Sequence, residues 1–137
     1  MRYLGLDLGS RTLGVAVSDK MGIIASNFKT IRHEEEYERL INDVKDIVSE
    51  LEVDAIVLGF PKNMNNTIGP KGELSLSFKE MLENSISIPV FLQDERLTTK
   101  TANDILIKGN VSRKNRKKVV DSLAATIILQ SYLDRRD

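Results

Sequence analysis

The chain has 137 residues, 41% of them hydrophobic, enough to bury roughly two-thirds of the unfolded surface in one ordinary core and too few for two large lobes that close over a substrate. Twenty Lys and Arg balance twenty Asp and Glu, leaving zero formal net charge with the His neutral, and that total gives no sign of a nucleic-acid partner. With no Cys and one His, disulfide scaffolds, thiolate zinc sites, a Cys nucleophile and iron–sulfur clusters are excluded, so any metal must be hard and oxygen-bound.

In chain order, Tyr3-Leu4-Gly5-Leu6-Asp7-Leu8-Gly9 reads as a strand, Ser10-Arg11-Thr12 as a turn, and Leu13-Gly14-Val15-Ala16-Val17 as the returning strand. A third strand over about Gly22 to Thr30 completes an antiparallel meander. Tyr37, Leu40, Ile41, Val44, Ile47, Val48 and Leu51 then fall at the spacing of one helical face, with Glu34, Glu35 and Glu36 expected in the first turn, where the dipole favours negative charge. Asp54 to Gly59 is a short apolar run of the kind a buried parallel strand shows. Phe60 to Gly72 reads as a loop, and Glu73 to Ile86 as a second helix with Leu74, Phe78, Met81 and Leu82 inward. Val90-Phe91-Leu92-Gln93 is a further strand ending in Asp94-Glu95. Thr98 or Thr99 can cap a helix that Gly109 stops, and Ser112 can cap a last helix reaching about Leu133. The expectation is one α/β domain over 1–137: a mixed five-stranded sheet, three antiparallel strands then two parallel, with helices on both faces. No apolar run approaches bilayer length and the N-terminus is not signal-like, so a cytoplasmic protein without a membrane partner is expected.

Three carboxylates stand out. Asp7 interrupts an apolar strand expected to be central, where a lone carboxylate costs several kcal/mol unless paired or bound to a cation; a strand-end Asp bonded to turn amides is the plainer alternative. Glu95 follows a strand at its carboxyl end, where open α/β sheets bind ligands, although it could equally be a helix-entry charge. Asp121 lies on a helical stripe with Ala125, Ile128 and Tyr132, beside alanines small enough for close approach to a sheet; a half-solvated boundary position is the ordinary reading. Together they form a possible all-carboxylate site for Mg²⁺ or Mn²⁺, ions that keep waters and bind phosphates.

From Lys108 to Lys118 the chain carries six basic residues and no acidic one. At the start of a helix these charges oppose the dipole, and a phosphate backbone would account for them, as would a solvated basic loop. Arg11, Lys62, Lys108, Arg113, Lys114, Arg116, Lys117 and Lys118 are the candidate phosphate contacts. Pro61 to Thr67 could hold phosphate or ribose, or be a plain turn-rich loop. His33 has no Ser or carboxylate partner at an interpretable spacing and reads as a surface residue. The glycines do not form G-x-G-x-x-G and there is no Walker A sequence.

Four blocks resemble one family along nearly the whole chain: Gly5-Leu6-Asp7-Leu8-Gly9-Ser10-Arg11-Thr12-Leu13-Gly14-Val15-Ala16, Leu58-Gly59-Phe60-Pro61-Lys62-Asn63-Met64, Asp94-Glu95-Arg96-Leu97-Thr98-Thr99, and Asp121-Ser122-Leu123-Ala124-Ala125. In this order they are similar to the YqgF (RuvX) family, described as Holliday junction resolvases and as pre-16S rRNA nucleases. The family usually has Leu at position 60 and often Gly at 66, departures that touch loop geometry alone. The resemblance implies a ribonuclease H-like fold, catalytic and metal-binding acids at Asp7, Glu95 and Asp121, and divalent-metal-dependent cleavage of structured nucleic acid in the bacterial cytoplasm. The leading expectation is a nuclease that processes the 5′ end of pre-16S rRNA, as a monomer or weak homodimer, with ribosomal precursor particles as partners. Its rivals are a resolvase of four-way DNA and a non-catalytic rRNA-binding maturation factor. The first block also resembles the phosphate motif of actin-like and sugar-kinase ATPases, but these need two lobes.

Overall fold

The computed structural model describes residues 1–61, 65, 67–94 and 113–135, and of 113–122 the helical backbone alone. The elements are β1 (Tyr3–Leu8), β2 (Thr12–Ser18), β3 (Ala25–Arg32), α1 (Tyr37–Leu51), β4 (Ala55–Phe60), α2 (Pro70–Ser85), β5 (Val90–Asp94) and α3 (Arg113–Arg135). They build a five-stranded sheet in the order β3-β2-β1-β4-β5. β1, β2 and β3 are antiparallel, whereas β1, β4 and β5 run parallel. The mixed sheet expected from the sequence is therefore present, and β1 is its central strand. The helix expected between Thr98 and Gly109 lies outside the described residues.

Boundaries differ for identifiable reasons. α2 begins at Pro70 rather than Glu73, because proline lacks the N–H that a first helical residue cannot satisfy; the Glu73 N–H then donates to the Gly69 carbonyl (3.0 Å). β3 begins at Ala25 rather than near Gly22. The Asp19 carboxylate accepts the Met21, Ile23 and Ile24 N–H groups (3.2, 2.8 and 2.9 Å), so the residues before Ala25 wrap around it. The acidic run does not lie in the first turn of α1, contrary to expectation. Glu36 is the N-cap and only Glu38 is acidic within that turn, because Glu35 turns the chain with φ of 68° before the helix starts.

Strand alternation sorts the core into two layers. Leu4, Leu6, Leu13, Val15, Ile56 and Leu58 pack with Leu40, Ile41, Val44 and Ile47 of α1 and Phe78 and Leu82 of α2. On the other face Tyr3, Ala16, Ala55 and Val57 pack against Ala125, Ile128, Leu129 and Leu133 of α3. The acidic helix α1 and the helix α3, which begins in the basic run, thus cover opposite faces of the sheet.

Candidate active site

Asp7 is half-buried near the carboxyl end of β1, its backbone opposite Gly14. Leu4 and Leu6 point into the α1/α2 layer, so alternation puts Asp7 with Tyr3 and Gly5 on the α3 face. α3 lies almost on the strand there: a Cβ on Gly5 would meet Leu129 Cβ at 2.7 Å and the Ala125 carbonyl oxygen at 3.2 Å. One step back along β1, Tyr3 meets Tyr132 with ring centroids 5.8 Å apart. As β1 advances, its contacts retreat along α3, so the two run antiparallel. Two further strand residues cover about 6.6 Å and four helical residues about 6 Å, which brings the backbone of Asp121 level with Asp7.

The backbones of two of the three acids singled out by sequence thereby lie at one level of the β1–α3 contact. The side chain of Asp121 and the whole of Glu95 lie outside the described residues, and among the described residues no group of three or more Asp, Glu, His or Cys is placed to hold a metal ion. Lys62 and Lys108 also fall outside. Arg113, Lys114, Arg116, Lys117 and Lys118 occupy the first two turns of α3, of which the backbone alone is described. Arg11 is exposed in the β1–β2 turn and lines a cavity of about 350 Å³ with Ser10, Glu34 and Glu35. A cavity of similar size, about 370 Å³, lies between α1 and α2 on the opposite face from Asp7, lined by Glu38, Ile41, Asn42, Met81, Asn84 and Ser85.

Two further residues are buried polar groups. Gln93, two positions before Glu95, pairs in register with Gly59 and shares the α3 face with Phe91, which stacks on Tyr132 at 5.7 Å. It is 5% exposed. Its Nε2 donates weakly to the Asp94 carbonyl (3.4 Å), and its Oε1 is buried without a hydrogen-bond partner. Gly59 carries no side chain to cover the row between Gln93 and β1. A polar residue ending the apolar run Val90-Phe91-Leu92 was the available signal.

The second is His33, which the structure places in the interior at 3% exposure, not on the surface. Its Nδ1 accepts the Glu35 N–H (3.0 Å). The neutral ring therefore carries its proton on Nε2, which donates to the Gly9 carbonyl (3.1 Å). The ring also packs against Tyr37, centroids 5.8 Å apart. A carboxylate partner was the wrong thing to look for, because backbone groups satisfy both nitrogens. Burial, with the Glu35 carboxylate adding to it, raises the Tyr37 phenol above its ordinary range. Glu36 is held below the usual carboxylate range by the Glu34 N–H and then by Arg39.

A family model described as RuvX, Holliday junction resolvase, matches residues 1–135. The chain belongs to the RuvX family. It is 54% identical to a Geobacillus protein named "Putative pre-16S rRNA nuclease", covering 99% of both chains. It is 52% identical to the Bacillus subtilis protein of the same name over 98% of each. Among solved structures, RuvC of Thermus thermophilus in complex with a Holliday junction substrate superposes with a TM-score of 0.60 at 15% identity, over 100% of this chain and 98% of that one. At that identity the likeness is one of fold, and the fold is the ribonuclease H-like one. The donor set of this RuvX chain suits a hard divalent cation. The carboxylates expected from the sequence would supply it, there is no thiolate, both nitrogens of the only imidazole are engaged elsewhere, and an unpaired amide oxygen at Gln93 is of the same hard class.

Proposed function

We propose that this RuvX chain is a divalent-metal-dependent nuclease that matures the 5′ end of pre-16S rRNA. The observation that supports the reading best is Asp7: a half-buried carboxylate near the carboxyl end of the central strand, level with the α3 backbone at Asp121. The end-to-end identity with proteins named for that activity agrees with it. Asp7, Asp121 and Glu95 would hold Mg²⁺ or Mn²⁺, which when bound supplies an activated water and stabilises the leaving oxygen. The chain's own part is to hold the carboxylates together and to seat the phosphate backbone. Arg113, Lys114, Arg116, Lys117 and Lys118 on α3, with Lys108, Arg11 and Lys62, supply the positive charge for that seat. No imidazole base is required, and His33 is not free to act as one.

The test is cleavage of precursor rRNA beside a four-way DNA junction, with Mg²⁺ or Mn²⁺, by the native chain and by Asp7→Asn. Metal-dependent cleavage of the RNA that falls at least a hundredfold in the variant is expected. Preferential cutting of the junction would make the chain a resolvase, a reading that the family description favours. RNA binding without turnover, unchanged by Asp7→Asn, would make it a maturation factor that only binds.

A further inference from the structure

We propose that His33 is a positioning residue for the nuclease site: from the opposite side of the sheet it fixes the turn that follows Asp7 and sets the direction of the Ser10 backbone N–H. The inference rests on the nuclease reading above. The turn is short. The Gly9 N–H donates to the Thr12 carbonyl (2.7 Å), but the Gly9 carbonyl is taken by His33 Nε2–H (3.1 Å), and the Arg11 carbonyl by the His33 backbone N–H (2.9 Å). One residue therefore holds two of the carbonyls of Gly9 to Thr12.

His33 is itself fixed. Its Nδ1 accepts from Glu35, the residue with φ of 68°, and its ring packs on Tyr37, which packs edge-on against Phe78 at 6.4 Å. Phe78 belongs to the α1/α2 layer, so the His33 ring draws the Gly9 carbonyl toward that side, whereas the Arg11 carbonyl, bonded to the His33 main chain, continues the β2–β3 pairing. A trans peptide is planar, with each C=O pointing opposite to the next residue's N–H. The Ser10 N–H is accordingly turned away from the His33 ring, toward the side on which alternation places Asp7. That N–H can receive a phosphate oxygen beside the carboxylate. A substitution that frees the Gly9 carbonyl lets the peptide plane rotate and takes the Ser10 N–H out of position.

The experiment compares the native chain with His33→Phe, which keeps a ring but no donor, and with His33→Gln, whose amide nitrogen can reach the Gly9 carbonyl. Asp7→Asn is the control. Three quantities are measured: amide hydrogen exchange at Gly9 and at residue 33, whose N–H groups close the turn, cleavage of precursor RNA with kcat and KM separated, and the melting temperature. Expected for His33→Phe is faster exchange confined to the turn and kcat/KM down by about tenfold, with melting still above the assay temperature. His33→Gln should restore most of both. Native turnover in His33→Phe overturns the inference, and so does an equal loss in both variants that follows their melting temperatures, since the role is then one of stability. Absence of cleavage by the native chain, indistinguishable from Asp7→Asn, overturns the nuclease reading instead and removes the reaction that His33 was assigned to serve.

Discussion

At the scale of single residues, Asp19 shows how a carboxylate can be fully explained without function. Its oxygens accept three N–H groups of the β2–β3 turn. Those from Ile24 and Ile23, more than that from Met21, hold the carboxyl below its ordinary value of 3.8. A folded pKa below the unfolded one means the native state prefers the charged form. The stabilisation is then fully present above about pH 4 and is lost as pH falls through the lower, folded value. Asp19→Asn should therefore melt below the native chain at neutral pH, with the gap closing as the pH is lowered under 3.8. A gap that is constant from pH 7 to pH 3 would show that the amide substitutes equally well and that charge is not involved. Asp7 is legible in another way: it stands between Leu6 and Leu8 in the central strand, and that interruption of an apolar run shows in the bare sequence. The places of His33 and Gln93 were not, since each depends on groups far away in the chain or on another strand, and neither spacing nor residue type encodes them.

Among the elements, the contact between β1 and α3 decides whether a site exists at all, because it alone carries Asp121 to the level of Asp7. Gly5 makes it possible. A methyl there would meet Leu129 Cβ at 2.7 Å and the Ala125 carbonyl at 3.2 Å, and neither atom is the end of a flexible side chain. Gly5→Ala should displace α3, destabilise the fold by about 1–3 kcal/mol, and lower cleavage by more than the stability loss explains, since the two carboxylates are drawn apart. Calorimetric melting with turnover measured well below the transition separates these effects, and undiminished turnover would show that α3 slides without disturbing the site. The strands and long helices were readable because their periods are strong: all six residues of β4 are buried, and the inward stripe of α1 is the one its spacing predicts. What was misplaced were ends. The start of β3 depends on the carboxylate of Asp19, the start of α2 on proline stereochemistry, and the start of α1 on a left-handed Glu35, so local chemistry outweighs hydrophobic period at each boundary.

On the scale of the whole molecule, zero net charge conceals a division between two faces. Nine acidic residues lie from Glu34 to Asp54 against Arg39 and Lys45, and most of them belong to α1 or the segment before it, whose inward stripe packs on the Leu4/Leu6 face of the sheet. Arg113 to Lys118, five of whose six residues are basic, opens α3, which covers the opposite face, with no acidic residue in its first turn. Basic residues at a helix start oppose its dipole, so they are not there for the helix. The sheet separates the two charge populations and leaves the positive one on the side of Asp7, where the field can draw a polyanion toward the carboxylates while α1 repels it from the other side. Replacing Lys114, Arg116, Lys117 and Lys118 with Gln should weaken RNA binding and flatten the plot of log affinity against log salt by roughly 0.7 for each charge that neutralised a phosphate of a single strand. Asp46→Asn with Glu50→Gln, both exposed on α1, changes the net charge in the opposite sense and should leave that slope unaltered. If both sets of variants shift affinity in proportion to net charge and neither changes the slope, binding follows the total, and the division between faces has no part in it.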